Sequence, residues 1–120
     1  MATALDLAGA PAKEKVFFNS ILPLVKGTQK SSNYPSIYGS YVNSQRMIRK
    51  DGFKLLVYPK LNKLLLFDME DDPDEMKDLA TKAEYKAKVE ELFGELQQLQ
   101  MKMKDSLDLS ATYAKFKSKI

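Results

Sequence analysis

The chain has no cysteine, no histidine and no tryptophan among its 120 residues. Without cysteine there is neither a disulfide nor thiol chemistry, and the redox compartment leaves no mark on the composition. The first two absences together exclude Ser-His-Asp and Cys-His hydrolytic triads and the usual zinc ligand sets. Arginine is almost missing as well: Arg46 and Arg49 stand against seventeen lysines. A formal charge of +3 carried by lysine lacks the planar fork that reads phosphates and bases, so nucleic acid is not an expected partner. Apolar runs such as Leu64 to Phe67 are short, whereas a membrane span needs about 20 residues, so no membrane association is expected. The opening residues show no basic stretch followed by an apolar one, an absence without weight for a piece of a longer protein.

What is present describes one globular domain spanning residues 1–120. Hydrophobic residues make up 44% and charged residues 29%, with five glycines and five prolines, a composition that buries a modest core and does not read as disordered. Residues 1–35 read as a connecting segment with short helices: a helical turn from Met1 to Ala8 stopped at Gly9 and Pro11, a short apolar segment from Asn19 to Val25 ended by Gly27, and a polar surface loop from Thr28 to Tyr34.

Residues 36–69 read as antiparallel strands. Ser36 to Val42 and Gln45 to Lys50 carry aromatic and β-branched side chains, and Asp51-Gly52 is a two-residue turn of the kind whose positive backbone angles close a tight hairpin. Phe53 to Tyr58 is the return strand, Pro59 to Asn62 a longer turn, and Lys63 to Met69 the last strand. Residues 72–104 read as helical. Asp72-Pro73-Asp74-Glu75 places an acceptor at a cap, a proline where its missing N–H costs nothing and a glutamate able to bond back, and Thr81-Lys82-Ala83-Glu84 repeats the pattern. From Glu84, Tyr85, Val89, Leu92, Phe93, Leu96, Leu99 and Met103 recur at spacings of three and four, the stripe of a long amphipathic helix. Residues 105–120 form a tail with Leu107, Leu109, Tyr113 and Phe116 but no clean period, which leaves a docked and a frayed segment both open. The fold class is α+β: an antiparallel sheet of about four strands packed by one long C-terminal helix.

Alternation along the strands gives this sheet two apolar faces. Phe53, Leu55 and Val57 point one way while Leu56 and Tyr58 point the other, and Leu64 and Leu66 oppose Leu65, Phe67 and Met69. A small sheet covered by one helix normally turns a polar face to water. The second face is therefore expected to expose an aromatic and aliphatic patch that meets a larger domain, a second copy of the chain, or a separate partner if the chain is a free-standing interaction module.

Three stretches resemble sulfatases. Thr3-Ala4-Leu5-Asp6-Leu7-Ala8-Gly9 is similar to the family's TLLDLAG segment, and Asn19 to Gly27 to its SLLPLLKG segment. The run from Ser44 to Ala80 resembles the C-terminal subdomain, with Leu66-Phe67-Asp68 through Asp78-Leu79-Ala80 matching the family's LYDLENDPxExxNLA turn. The resemblance implies the C-terminal part of a sulfuric ester hydrolase, whose partner is the catalytic N-terminal domain of the same parent protein. The parent is expected in the periplasm or secreted, acting on a sulfated carbohydrate or a small sulfate ester. It also implies that the parent uses formylglycine and a divalent metal, calcium or magnesium.

None of that chemistry is expected from these residues alone. The family's formylglycine comes from a Cys/Ser-x-Pro-x-Arg motif, and the positions two before each proline are Gly9, Ile21, Asn33, Val57 and Asp71. The acidic run from Asp68 to Asp78 fails as an EF-hand, since the sixth position is Pro73 and the twelfth Leu79. These acids read as caps and dipole partners. No catalytic and no metal residues are assigned. Tyr38, Tyr41, Gln45 and Arg46, on the Tyr-Gly-x-Tyr and Gln-Arg parts of the resemblance, are the substrate-binding candidates, because tyrosine stacks on sugars and arginine pairs with anions. The competing reading packs the tyrosines across strands or onto a domain interface.

Overall fold

The structure is a computed structural model that describes residues 1–11 and 18–120. It divides into two units, residues 1–35 and 36–120. In the first, helix α1 (Ala2–Leu7) and the single turn α2 (Leu22–Val25) are each followed by a glycine at positive φ, Gly9 at +63° and Gly27 at +69°. The Ile21 N–H donates to the Thr3 hydroxyl at 3.2 Å, and the Asn19 N–H to the Tyr34 hydroxyl.

The second unit carries a four-stranded antiparallel meander, β1 (Ile37–Tyr41), β2 (Gln45–Lys50), β3 (Phe53–Tyr58) and β4 (Lys63–Asp68), in that spatial order. Asp51 at φ +50° and Gly52 at +78° make the β2–β3 turn as the sequence predicts. A 3₁₀ turn at Pro59–Leu61, closed by Asn62 in the left-handed region, joins β3 to β4. Helix α3 (Lys86–Lys102), entered through a 3₁₀ turn at Ala83–Tyr85, is followed by α4 (Ser110–Lys117).

The register separates the two faces. Ile48, Leu55, Val57, Leu64 and Leu66 share one side and form the core with Val89, Leu92, Phe93 and Leu96 of α3. The predicted helical stripe is thus the buried face. The tail is docked: Leu109 and Phe116 enter the same core, and Tyr113 stacks on Phe93 with ring centroids 4.0 Å apart.

Two expectations need correction. No helix begins at Asp72: residues 69–82 are turns, Glu75 has φ +57°, and the Asp72 carboxylate accepts from the N–H groups of Met76 and Lys77. The physical cause lies at the edge of β4. Leu79 N–H donates to the Leu66 carbonyl at 2.8 Å and the Leu66 N–H donates to Asp78 Oδ1 at 3.1 Å, so residues 78–79 occupy the free edge of that strand. Leu79 and Ala80 are buried in consequence. Helix therefore starts only at residue 83, and Thr81 makes no cap bond to it.

The second correction concerns the other face of the sheet. It is apolar, but Leu56 and Phe67 on it are covered. Leu56 is 5% exposed and Phe67 6%. The pairing sets Met47 and Leu65 on either side of Leu56, and Lys54 beside Phe67 with its ammonium held by Glu75 at 2.6 Å. Within residues 36–68 the exposed large apolar side chains sit on β1 and the turns, at Ile37, Tyr41, Val42 and Leu61.

Candidate functional site

The four candidate residues lie on two adjacent strands and divide between the two faces. Tyr41 pairs with Gln45 at the base of the β1–β2 turn, on the face away from α3. Tyr38 and Arg46 have the opposite parity, shared with Ile48, and point toward the helices. The structure therefore brings Tyr41 together with Gln45, and Tyr38 with Arg46, but does not gather all four into one cluster.

On the outer face, Gly39, Ser40, Tyr41, Gln45, Met47, Lys54 and Leu56 line a shallow depression of about 210 Å³. Gly39 leaves room there: a Cβ on it would come within 2.8 Å of the Met47 methyl, the far end of a flexible side chain that would have to shift. The rim offers the exposed Tyr41 hydroxyl, the Gln45 amide and the Lys54 ammonium beside Glu75. This is an apolar floor with hydrogen-bond donors and one cation, an arrangement that holds a polar ring or an anion and breaks no bond by itself.

On the inner face a buried ion pair is the most concentrated electrostatic feature. Arg46 is 4% exposed; its Nε and Nη2 donate to Asp105 at 2.5 and 2.9 Å, and its Nη1 donates to the carbonyls of Val42 and Gln45 at 2.6 and 2.8 Å. Asp105 also accepts from the Tyr38 hydroxyl, from Gln100 Nε2 at 3.0 Å and from the Leu107 N–H at 3.2 Å. Hydrogen bonding to the Arg46 guanidinium, the largest influence, holds the Asp105 carboxyl far below the usual carboxylate range. Burial, reinforced by the Asp105 acceptor, pushes the Tyr38 phenol up to about 12. All three nitrogens of the Arg46 guanidinium are engaged within the fold, so its charge orders the protein.

Sequence reasoning missed Asp105. The signal was present in Arg46 itself: its parity with Ile48, across from Val57, puts a guanidinium on the core side of β2, and such a group requires a carboxylate. Gln100 gave a second hint, a polar residue one turn beyond Leu96 on the buried stripe.

Three acids of the run are committed to backbone. Asp68 accepts from the N–H groups of Glu70 and Asp71, Asp72 from Met76 and Lys77, and Asp78 from Leu66 and Ala80. Among the described residues no group of three or more acidic or other ligand side chains is placed to hold a metal ion.

Comparison with known proteins gives a family and several solved structures. The family model described as N-sulphoglucosamine sulphohydrolase, C-terminal, matches residues 1–102. A putative sulfatase from Bacteroides thetaiotaomicron is similar at 27% identity and a TM-score of 0.75, over 86% of this chain and 24% of that one. A 2-O GAG sulfatase is similar at 27% identity and a TM-score of 0.74, with the same shares, 86% and 24%. A protein solved in complex with its substrate D-glucosamine-2-N,6-O-disulfate is similar at 25% identity and a TM-score of 0.72, over 88% of this chain and 24% of that one. This chain spans about a quarter of the length of each. Comparison with curated proteins finds no match.

Proposed function

This chain belongs to the N-sulphoglucosamine sulphohydrolase C-terminal family, and from that premise we propose that it is the non-catalytic C-terminal part of a sulfatase, supporting a catalytic domain and forming one wall of its substrate pocket. The match over residues 1–102 carries the proposal, together with the chain's span of about a quarter of similar sulfatase chains. The parent's reaction is hydrolysis of a sulfate ester. Sulfated carbohydrate is the substrate class, in line with the disulfated glucosamine and GAG specificities named for similar structures.

Formylglycine and a divalent metal, calcium or magnesium, supply the hydrolytic chemistry in this family. The residues in hand do not fit either group: no Cys or Ser stands two before a proline, and among the described residues Asp68, Asp72 and Asp78 are bonded to backbone while Glu75 and Asp105 are paired with Lys54 and Arg46. The role of this chain is then to bind and orient. Tyr41 and Gln45, beside an apolar floor, suit the stacking face and hydroxyls of a sugar ring. Tyr38 and Arg46 suit the task of holding those two in place.

The test compares three polypeptides for sulfate release from a panel of sulfated mono- and disaccharides: the parent with its catalytic domain, the parent lacking these residues, and this chain alone. Turnover is expected from the first only. Turnover by the isolated chain would overturn the non-catalytic role, and full activity of the catalytic domain without these residues would overturn the supporting one.

A further inference from the structure

The β1–β2 turn holds a shape that its own residues do not favour. Val42 is β-branched and sits at φ +40°, a left-handed conformation that costs such a residue about 1–3 kcal/mol. The turn comprises residues 42–44, contains no glycine, and is closed by the Ser44 N–H on the Tyr41 carbonyl at 3.0 Å. Val42 is 72% exposed, so packing against a core does not explain its geometry.

Arg46 does explain it. One nitrogen, Nη1, draws in the carbonyl of Val42 and the carbonyl of Gln45, which lie at the two ends of the turn. That nitrogen is itself fixed, because Nε and Nη2 of the same planar group are bonded to Asp105. Tyr38 and Gln100 hold the carboxylate from two further elements, β1 and α3. The chain of constraint runs from Asp105 through Arg46 to the turn, and the turn carries Tyr41 and Gln45 at its base. Asp105 lies beyond the residues 1–102 that the family match covers.

We propose that Asp105 is a positioning residue for saccharide recognition: acting through Arg46, it fixes the β1–β2 turn in the one shape that presents Tyr41 and Gln45 to a sulfated sugar. The proposal rests on the reading of these residues as a wall of the parent's substrate pocket.

Two measurements test it. The first needs no activity: in this chain, Asp105→Asn should speed amide exchange at Ser44 about tenfold, while the central amides of β2 and β3, whose protection falls with the global stability, still exchange far more slowly than Ser44. Unchanged exchange at Ser44, or central amides that exchange as fast as Ser44, overturns the proposal whatever the parent does. The second uses the parent carrying its catalytic domain. There Asp105→Asn should raise KM for a sulfated disaccharide about tenfold with kcat within about twofold, and leave KM for an aryl sulfate unchanged. Adding Val42→Gly should recover part of the loss, because glycine takes positive φ without a clamp. An unmoved disaccharide KM, or a loss that the glycine fails to relieve, overturns the proposal while the parent's own turnover leaves the sulfatase reading intact. A parent without turnover defeats that reading, and with it the saccharide role assigned to Asp105.

Discussion

Removing the carboxylate of Asp105 should cost more than removing the guanidinium it serves. Asp105→Ala strips Arg46 of the partner for two of its nitrogens and leaves a cation that is 4% exposed with two carbonyl acceptors. An uncompensated buried charge of this kind costs about 3–5 kcal/mol. Arg46→Met keeps much of the side-chain volume and leaves a carboxylate whose side chain is 14% exposed and still receives Tyr38, Gln100 and Leu107. We expect about 2–3 kcal/mol for that change. The double variant leaves neither charge behind, so its cost should fall short of the sum by about 2–3 kcal/mol. Urea unfolding reads these differences. With a slope of about 1–3 kcal/mol per molar for a domain of this size, Asp105→Ala should lower the midpoint by about 2 M and still leave a folded protein at zero denaturant. A cost below about 1 kcal/mol for Asp105→Ala, or additivity of the two single changes within about 0.5 kcal/mol, would refute the argument that this pair is desolvated and coupled.

Acid should expose the same carboxylate. Its folded value is depressed, chiefly by Arg46, so its stabilisation is complete above the ordinary unfolded value near 3.9 and is lost as the pH falls below that; unfolding between pH 5 and 2 should be steeper for the native chain than for Asp105→Asn. Tyr38 works at the opposite end: its phenol is raised to about 12, so the stability it contributes is complete below pH 10, where an unfolded tyrosine begins to ionise, and is lost as the pH climbs through about 12. Tyr38→Phe should flatten the alkaline decline, and equal slopes for the two proteins would count against it. In the core, Leu96→Ala should cost about 2–5 kcal/mol by thermal or urea unfolding, since Leu96 is fully buried between α3 and the sheet; a loss under about 1 kcal/mol would mean that the helix does not seal this side.

Most of the sheet was legible because its signals are local. Asp51-Gly52 fixes a hairpin through the backbone angles of two residues, and the apolar strands on either side of it need no distant partner to be recognised. The α3 stripe was legible for the same reason, its period being a property of the helix alone. Asp72-Pro73-Asp74-Glu75 misled because a capping pattern states only a local preference. The hydrogen bonds from residues 78–79 to Leu66 form across the chain, and they draw this stretch along the edge of β4. The tail could not be read from period because α4 is anchored by a few points, Leu109, Thr112 and Phe116, rather than by a continuous stripe. In the candidate site the residue types were visible but their faces were not used: strand parity already separated Tyr41 and Gln45 from Tyr38 and Arg46. Asp105 follows Lys102 and Lys104 with no motif around it, and only the unmet need of Arg46 pointed to it.

The order of the strands is the order of synthesis, so each hairpin of this meander is able to close as soon as its second arm leaves the ribosome. Arg46 breaks that sequence. It is delivered to the inner side of the sheet some sixty residues before its counter-ion exists, and a nascent domain therefore carries an unanswered cation until Asp105 has been added. Closure of this core therefore waits on Asp105, and a domain interrupted before that residue holds a guanidinium on its inner side with no carboxylate to meet it.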